Sequence, residues 1–384
     1  MANTLTNLIP VAYRALDIVS RELTGLISAV NVDAAADTIA KGQTIYSPVV
    51  PSGNAIGDIT PAMTVTAAND ITYGTKSLVI DNYKVSGFNW TAEEEFGINT
   101  GVRMENLMRD QLAQEFRKHI NAMELALCTA AKNGASRAIG TAAGQAPILA
   151  DFAGAKKILD DNGAPSSDRS VILDTTAGVA LRGIANLFKV NEAGDSNLLR
   201  NGVLGSLYGF DVRESAGIQP VTKGGMTGAL INNGNIAVGS TVLTYDGGTV
   251  NTTGFAAGDI ITIGTDPNKY VVEVGSTSAT GTITIAAPGL IKAAADNAAI
   301  TVFGTSSRNC AFSRNAIVLA TRLPAIPPQG DMAIDRQVIT DPRTGLSFEL
   351  AMYPGYRMNT YHVSIAWGIT VFKPEHLAII IGGV

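Results

Sequence analysis

Apolar residues recur at Tyr13, Leu16, Val19, Leu23 and Leu26. Spacings of three and four predict an amphipathic helix over 9–30, with Pro10 well placed at its start. The pattern then changes. Pro48, Pro51, Gly53, Gly57 and Pro61 interrupt the next stretch, and Ile71 to Trp90 is rich in β-branched and aromatic residues. Residues 43–90 therefore predict a long two-stranded excursion. It has too few large apolar residues for a core of its own, and a lone hairpin is marginal, so a neighbour must steady it. Thr91 and Glu94 make a capping-box pattern. Met104, Leu107, Met108, Leu112, Phe116, Ile120, Met123 and Leu127 then trace one face of a helix. At ~1.5 Å per residue its roughly 30 residues make a rod of about 45 Å, closed by Asn133-Gly134 as an expected left-handed terminator. Arg109, Glu115 and Lys118 place a polar face opposite the stripe. This helix reads as a spine.

Residues 150–218 read as an α/β unit: helix 151–161 ending at Asn162-Gly163, strand 170–173, a helix from Thr175 to Phe188, and strand 209–213. Residues 235–305 differ in composition. Short β-rich runs at 238–245, 259–263, 270–274, 282–286 and 300–303 alternate with turn residues such as Asp246-Gly247-Gly248 and Pro288-Gly289. That spacing predicts a small all-β barrel or sandwich set into a loop of the preceding unit. After Pro327-Pro328, strands 333–340 and 346–352 flank the turn 341–345. Strand 360–372 and an apolar end at 377–381 follow. The expected class is α+β.

Composition narrows the reading. A chain of 384 residues has room for two or three domains of about 100–200 residues each. The charged fraction is 16%, against ~25% in ordinary soluble domains, and mean hydropathy is positive. No apolar run reaches the ~20 residues of a membrane span, so the apolar excess points to subunit contacts. The net charge of −5, with no basic run, argues against a protein that grips phosphates. Cys128 and Cys310 read as core hydrophobes in a reducing cytoplasm. The first residues, broken by Arg14, Asp17, Arg21 and Glu22, do not read as a signal peptide.

Catalytic patterns are missing: no Gly-Lys-Ser/Thr step, no Gly-x-Ser-x-Gly elbow, and no dinucleotide glycine fingerprint after a strand. His119, His362 and His376 stand far apart and read as packing or solvated residues. Glu93, Glu94 and Glu95 face the positive end of a helix dipole more simply than a metal. Asp246, Asp259 and Asp266 read as turn residues. The expectation is no catalytic residue, cofactor or metal. A covalent weld between Lys76 or Lys84 and Asn359 of another subunit would need a buried carboxylate beside the pair, and no pattern identifies one.

The order of these elements, with several local strings, resembles the Hong Kong 97-type capsid fold of tailed bacteriophages. The strings are Ile158-Leu159-Asp160-Asp161-Asn162-Gly163-Ala164-Pro165 with Asp168 to Leu173, Gly205 to Val212 with Ser215 and Ile218, and Ala311 to Ile317 continuing to Thr321-Arg322-Leu323-Pro324. The resemblance implies an N-arm (1–42), E-loop (43–90), spine helix and start of the P-domain (91–149), A-domain (150–234, returning at 306–328), and P-domain hairpin with C-terminal strand (329–384). Residues 235–305 would be an inserted β-barrel, similar to that in coats of short-tailed Salmonella phages. The implied function is a major capsid protein that self-assembles as hexamers and pentamers around double-stranded DNA, without sequence-specific binding, in the virion after assembly in the host cytoplasm. Implied partners are a portal protein, a separate scaffolding protein (the chain begins directly at the arm) and in some shells a decoration protein; no membrane is implied. Subunit-contact candidates are Tyr13, Leu16, Lys76, Lys84 and Arg343. The alternatives are an encapsulin-type bacterial compartment, an α/β enzyme with a β accessory domain, and a tail or fibre protein.

Overall fold

The computed structural model describes residues 24–49, 73–98, 102–140, 147–184, 187, 204–232, 234–341 and 344–383. In chain order, β1 (Asn31–Ile39) precedes β2 (Thr44–Val49), β3 (Gly74–Val79) and β4 (Asn82–Thr91). Helices α1 (Ala92–Ile98) and α2 (Val102–Asn133) follow, then β5 (Arg137–Ile139), α3 (Leu149–Asp161), β6 (Arg169–Leu173), α4 (Thr175–Arg182), β7 (Ser206–Leu207) and β8 (Phe210–Glu214). A β-rich stretch holds β9 (Met226–Thr227), β10 (Leu230–Ile231), β11 (Val242–Asp246), β12 (Thr249–Val250), β13 (Ile260–Ile263), β14 (Lys269–Val274), β15 (Gly281–Ile285) and β16 (Ile300–Val302). The chain continues through β17 (Arg308–Ser313), β18 (Ile317–Pro324), β19 (Asp335–Thr340), β20 (Ser347–Gly355), β21 (Met358–Val371) and β22 (Leu377–Ile381). This is an α+β chain in which strands predominate.

Two sheets organise it. One has six strands in the order β1-β18-β21-β20-β19, with β4 also on β21. The other has twelve, and at its centre β22 lies between β5 and β17, with β6 and β8 beyond. These central strands are apolar on both faces, as sheets covered on both sides must be. Cys310, Phe312, Leu377, Ile379 and Ile172 join the core around α2. Their alternates Ala311, Ala378, Ile380, Val171 and Leu173 join the core under α3 and α4. The period of two assigns each residue to one core or the other.

Helix α2 has 32 residues, about 48 Å at ~1.5 Å each. Met108, Leu112, Phe116, Ile120, Met123, Leu127 and Ala131 are its buried stripe. Phe116 meets Phe348 of β20 edge-on at 5.2 Å. The helix stops at Gly134, but not by a left-handed turn: that glycine is absent from the positive-φ positions. A side chain there would come within 2.7 Å of Val371 Cγ2, so close approach to β21 is what requires glycine. Gly163 does behave as expected, with φ +72°. Its N–H reaches Asp160 O and that of Ala164 reaches Leu159 O, the paired bonds of a Schellman closure on α3.

Other parts of the sequence reading also need correction. Residues 24–30 form turns, not the end of a helix. The cause is Glu124 of α2, whose buried carboxylate accepts from Leu26 N–H at 2.8 Å, Ile27 N–H at 3.1 Å and Ser215 Oγ at 2.6 Å. Gly25 permits this by lying against Glu214 O. The following strand β1 was not legible in Ala-rich 31–39; it exists because β18 pairs with it in parallel, Asn31 opposite Val318. Finally, α4 ends at Arg182, where the last turn tightens into three-residue bonds, Gly183 N–H to Ala180 O and Ile184 N–H to Leu181 O.

The β-rich stretch has its own core of Leu243, Tyr245, Phe255, Ile261, Ile263, Tyr270, Val272, Ile283 and Ile285. It is also continuous with the central sheet, since β14 pairs with β5, Tyr270 opposite Arg137. On β13 and β14 the alternates Ile260 and Val271 belong to the core around α2. Those two strands are a wall common to both cores.

Candidate assembly surfaces

Strands β2 and β3 pair in antiparallel register, Thr44 opposite Val79 through Val49 opposite Gly74. This ribbon has one small core at its root, where Leu78 and Ile80 meet Ile39, Ala320 and Ala366. Lys76 Nζ donates to Phe372 O there, and Tyr83 Oη to Ile39 O. Tyr46 and Val79 on the ribbon, and Tyr73 at its far end, are exposed. The root is fixed and the aromatic face is bare.

A second surface lies where β20 turns into β21. Gly355 pairs with Met358, leaving Tyr356 and Arg357 as the turn. Arg357 has φ +56°, a conformation costing a non-glycine residue roughly 1–2 kcal/mol. Arg357 sits 5.9 Å from the Tyr356 ring centroid, and its carbonyl accepts from Ala92 N–H at 2.9 Å. Helix α1 is thereby placed alongside, capped reciprocally by Thr91 and Glu94: Glu94 Oε2 accepts from Thr91 N–H at 2.9 Å and Thr91 Oγ1 accepts from Glu94 N–H at 3.3 Å. The Thr91 N–H bond first, and then the Thr91 hydroxyl donating to Glu94 Oε2 at 3.0 Å, lower the Glu94 pKa. Phe96 is 86% exposed and Tyr356 90%. With Thr91, Glu93 and Met358 they line a cleft of about 680 Å³. Two exposed aromatic rings thus stand beside one strained backbone position.

Near the edge strand β19, Met332 is 79% exposed, and Ile334 and Val338 are also exposed. A charged network fixes this edge. Arg336 Nη1 donates to Glu349 Oε1 at 2.5 Å, and Nη2 to Asp331 and, at 3.2 Å, to Tyr353 Oη. Ala333 N–H, then Arg336 and Tyr353, pull the Asp331 carboxyl down to about 2. Burial pushes Glu349 the other way.

Of the subunit-contact candidates, Tyr13, Leu16 and Arg343 lie outside the described residues. Lys76 serves the ribbon root. Lys84 is exposed on β4 opposite Ile365. Asn359 is six positions from that point on the same ladder, about 20 Å at ~3.3 Å per residue, and its amide donates to Glu95 Oε1 at 3.2 Å. Within one chain the lysine and the asparagine are not brought together.

The remaining polar candidates have structural partners. His119 is buried, not on a solvated face; its Nε2 lies 3.0 Å from Val363 O and 2.9 Å from Ser86 Oγ, and burial lowers its pKa. His376 is also buried and lowered, by burial first. Asp259 is buried, accepting from Gly224 N–H at 2.9 Å and Ala256 N–H at 2.8 Å. Asp266 accepts from Asn268 N–H at 3.0 Å and Tyr270 Oη at 2.6 Å. Cys128 and Cys310 are free and buried. Among the described residues no group of three or more His, Cys, Asp or Glu is placed to hold a metal ion. Glu124 escaped the sequence reading because it interrupts the α2 stripe and passes for a solvated charge.

No family model matches this sequence, and no curated protein does. Solved structures do match in fold. A chain in the capsid structure of the cyanophage P-SCSP1u aligns with a TM-score of 0.53 at 12% identity, over 94% of this chain and 88% of that one. A chain in the asymmetric unit of the mature capsid of bacteriophage PhiM1 aligns with a TM-score of 0.50 at 10% identity, over 91% and 85%. The chain shares the fold of these phage capsid structures along nearly its whole described length.

Proposed function

We propose that this chain is a major capsid protein of a tailed DNA phage, assembling with copies of itself into an icosahedral shell. The observation that carries the reading is a fold likeness to phage capsid chains that runs nearly end to end. Because a fold alone does not fix a function, the surfaces matter. The β2–β3 ribbon, the Phe96–Tyr356 cleft and the Met332 edge expose aromatic and aliphatic side chains that a solitary chain has no reason to keep in water. On this reading the ribbon is the E-loop, α2 the spine helix, the six-stranded sheet with its hairpin the P-domain, and the central sheet with α3 and α4 the A-domain. Residues 235–305 are read as the elaboration of that A-domain. Hexamers and pentamers would enclose double-stranded DNA without sequence-specific binding, as a net charge of −5 favours. A scaffolding protein, a portal and, in some shells, a decoration protein complete the assembly. On this reading the chain serves as shell wall and not as an enzyme.

Expression with its phage's scaffolding protein, followed by electron microscopy, tests this. Closed shells are expected. Phe96→Ser with Tyr356→Ser should leave the subunit's unfolding free energy within about 0.5 kcal/mol of the parent's, as surface changes do, while abolishing shells. A chain that stays monomeric, or a double variant that assembles normally, refutes the assignment of function or of surface respectively. Shells holding an enzyme and no DNA mean a storage compartment instead.

A further inference from the structure

Arg308 is the least satisfied charge in the described structure. It is 2% exposed at the start of β17, and its Nη1 donates to Ser306 Oγ. Its Nε and Nη2 have no partner. These are the two N–H groups along one edge of the guanidinium, the parallel fork that grips two oxygens of a carboxylate or phosphate. Buried groups of this kind are seldom left alone, because an unpaired buried donor costs about 1–3 kcal/mol, and more when charged. The nearest carboxylate in charge terms is Asp259, which is already held by the N–H groups of Gly224 and Ala256.

Arg308 also forms part of the wall of a cleft of about 250 Å³. One side is a single face of α2, with Leu125, Cys128, Thr129 and Lys132. The other is the segment 217–222, which leads from the central sheet into the β-rich stretch. Two cations, Lys132 and Arg308, stand in this wall, and no acidic residue does. Glu124, behind Gly217, is committed to Leu26, Ile27 and Ser215. The room is below the ~300–1,000 Å³ of cofactor sites, which excludes a nucleotide and suits a small ion.

We propose that this cleft binds one small oxyanion, a phosphate or a simple carboxylate, between the free fork of Arg308 and the ammonium of Lys132. Burial holds the Arg308 pKa down to about 10, and an anion on the fork offsets that penalty. The fork is shielded from solvent, so binding requires the guanidinium to turn toward the cleft. The bound ion ties α2, the 217–222 segment and the root of β17 together where the β-rich stretch joins the main core.

Equilibrium dialysis of the purified chain with radiolabelled inorganic phosphate, and with radiolabelled acetate in a second arm, tests this at constant ionic strength. One ion per chain is expected, and the preferred arm names the source. Lys132→Gln, a half-exposed change, should weaken binding at least tenfold with the fold unchanged by circular dichroism. Arg308→Lys, which keeps the charge and removes the fork, should abolish it. Less than a tenth of an ion per chain in both arms overturns the proposal and leaves ordered water as the fork's partner. So does a folded Lys132→Gln variant that binds like the parent.

Discussion

Replacing Glu124 separates its role as an anchor from that of an ordinary helix residue. In Glu124→Ala three buried donors lose their acceptor at once: Leu26 N–H, Ile27 N–H and Ser215 Oγ. At about 1–3 kcal/mol for each unmet buried group the sum is roughly 3–9 kcal/mol. The donors are neighbours and relax together, so about 4–6 kcal/mol is expected. That is a large share of the ~5–15 kcal/mol that holds a typical domain folded. Glu124→Gln keeps one oxygen and turns an amide against the remaining donor, so about 1–3 kcal/mol is expected. Urea unfolding of dispersed subunit measures both. Hydrogen exchange locates the effect: the amides of Leu26 and Ile27 should lose protection before those of β17 and β22. An alanine variant losing less than about 1 kcal/mol, or one whose Leu26 and Ile27 amides exchange as slowly as the parent's, would show that α2 does not anchor residues 24–30 through this carboxylate.

Three further outcomes follow from the same packing. Carboxyl NMR should find Asp331 titrating near about 2. A depressed acid contributes stability present above its ordinary 3.8 and lost as pH falls through the folded value, so Arg336→Met should move the titration up, and a value near 4 in the parent refutes the network. Buried His119 has a lowered pKa, hence a contribution present above 6.5 and lost as pH falls through the folded value; His119→Gln should flatten the decline in unfolding free energy on acidification, and an unchanged slope counts against it. Deleting residues 235–305 removes Ile260 and Val271 from the core around α2, about 3–6 kcal/mol at ~1.5–3 each. Insoluble or non-cooperative protein is expected, and a soluble, cooperatively unfolding deletion would show that the main core closes without them.

What the sequence revealed and what it hid divides along one physical line. Elements set by local chemistry were legible: the α2 stripe, the Thr91–Glu94 box and the Gly163 closure. Part of the resemblance has a local cause too. Asp160, Ala164 and Pro165 gather around Arg169, which donates to the two carbonyls at 2.7 and 2.6 Å and pairs with Asp160 at 2.7 Å. Tyr208 and Gly209, both at positive φ, make the tight turn between β7 and β8. Elements set by distant partners were not legible. β1 depends on β18, residues 24–30 depend on Glu124, and β14 reaches β5 across more than a hundred residues. Exposed Phe96 and Tyr356 also went unremarked, since an aromatic residue announces hydrophobicity but not which side of the surface it occupies.

The place of β22 has a consequence for how the molecule is made. Leu377–Ile381 is the keystone of the central sheet, hydrogen-bonded to β17 on one flank and β5 on the other. Translation at about 5–20 residues per second delivers that segment roughly 12–48 s after β5. Until then a slot stays open between two strands, and the apolar faces on either side of it have no lid. A ribosome-bound chain therefore cannot close this sheet before β22 has emerged, whatever its earlier strands have already paired.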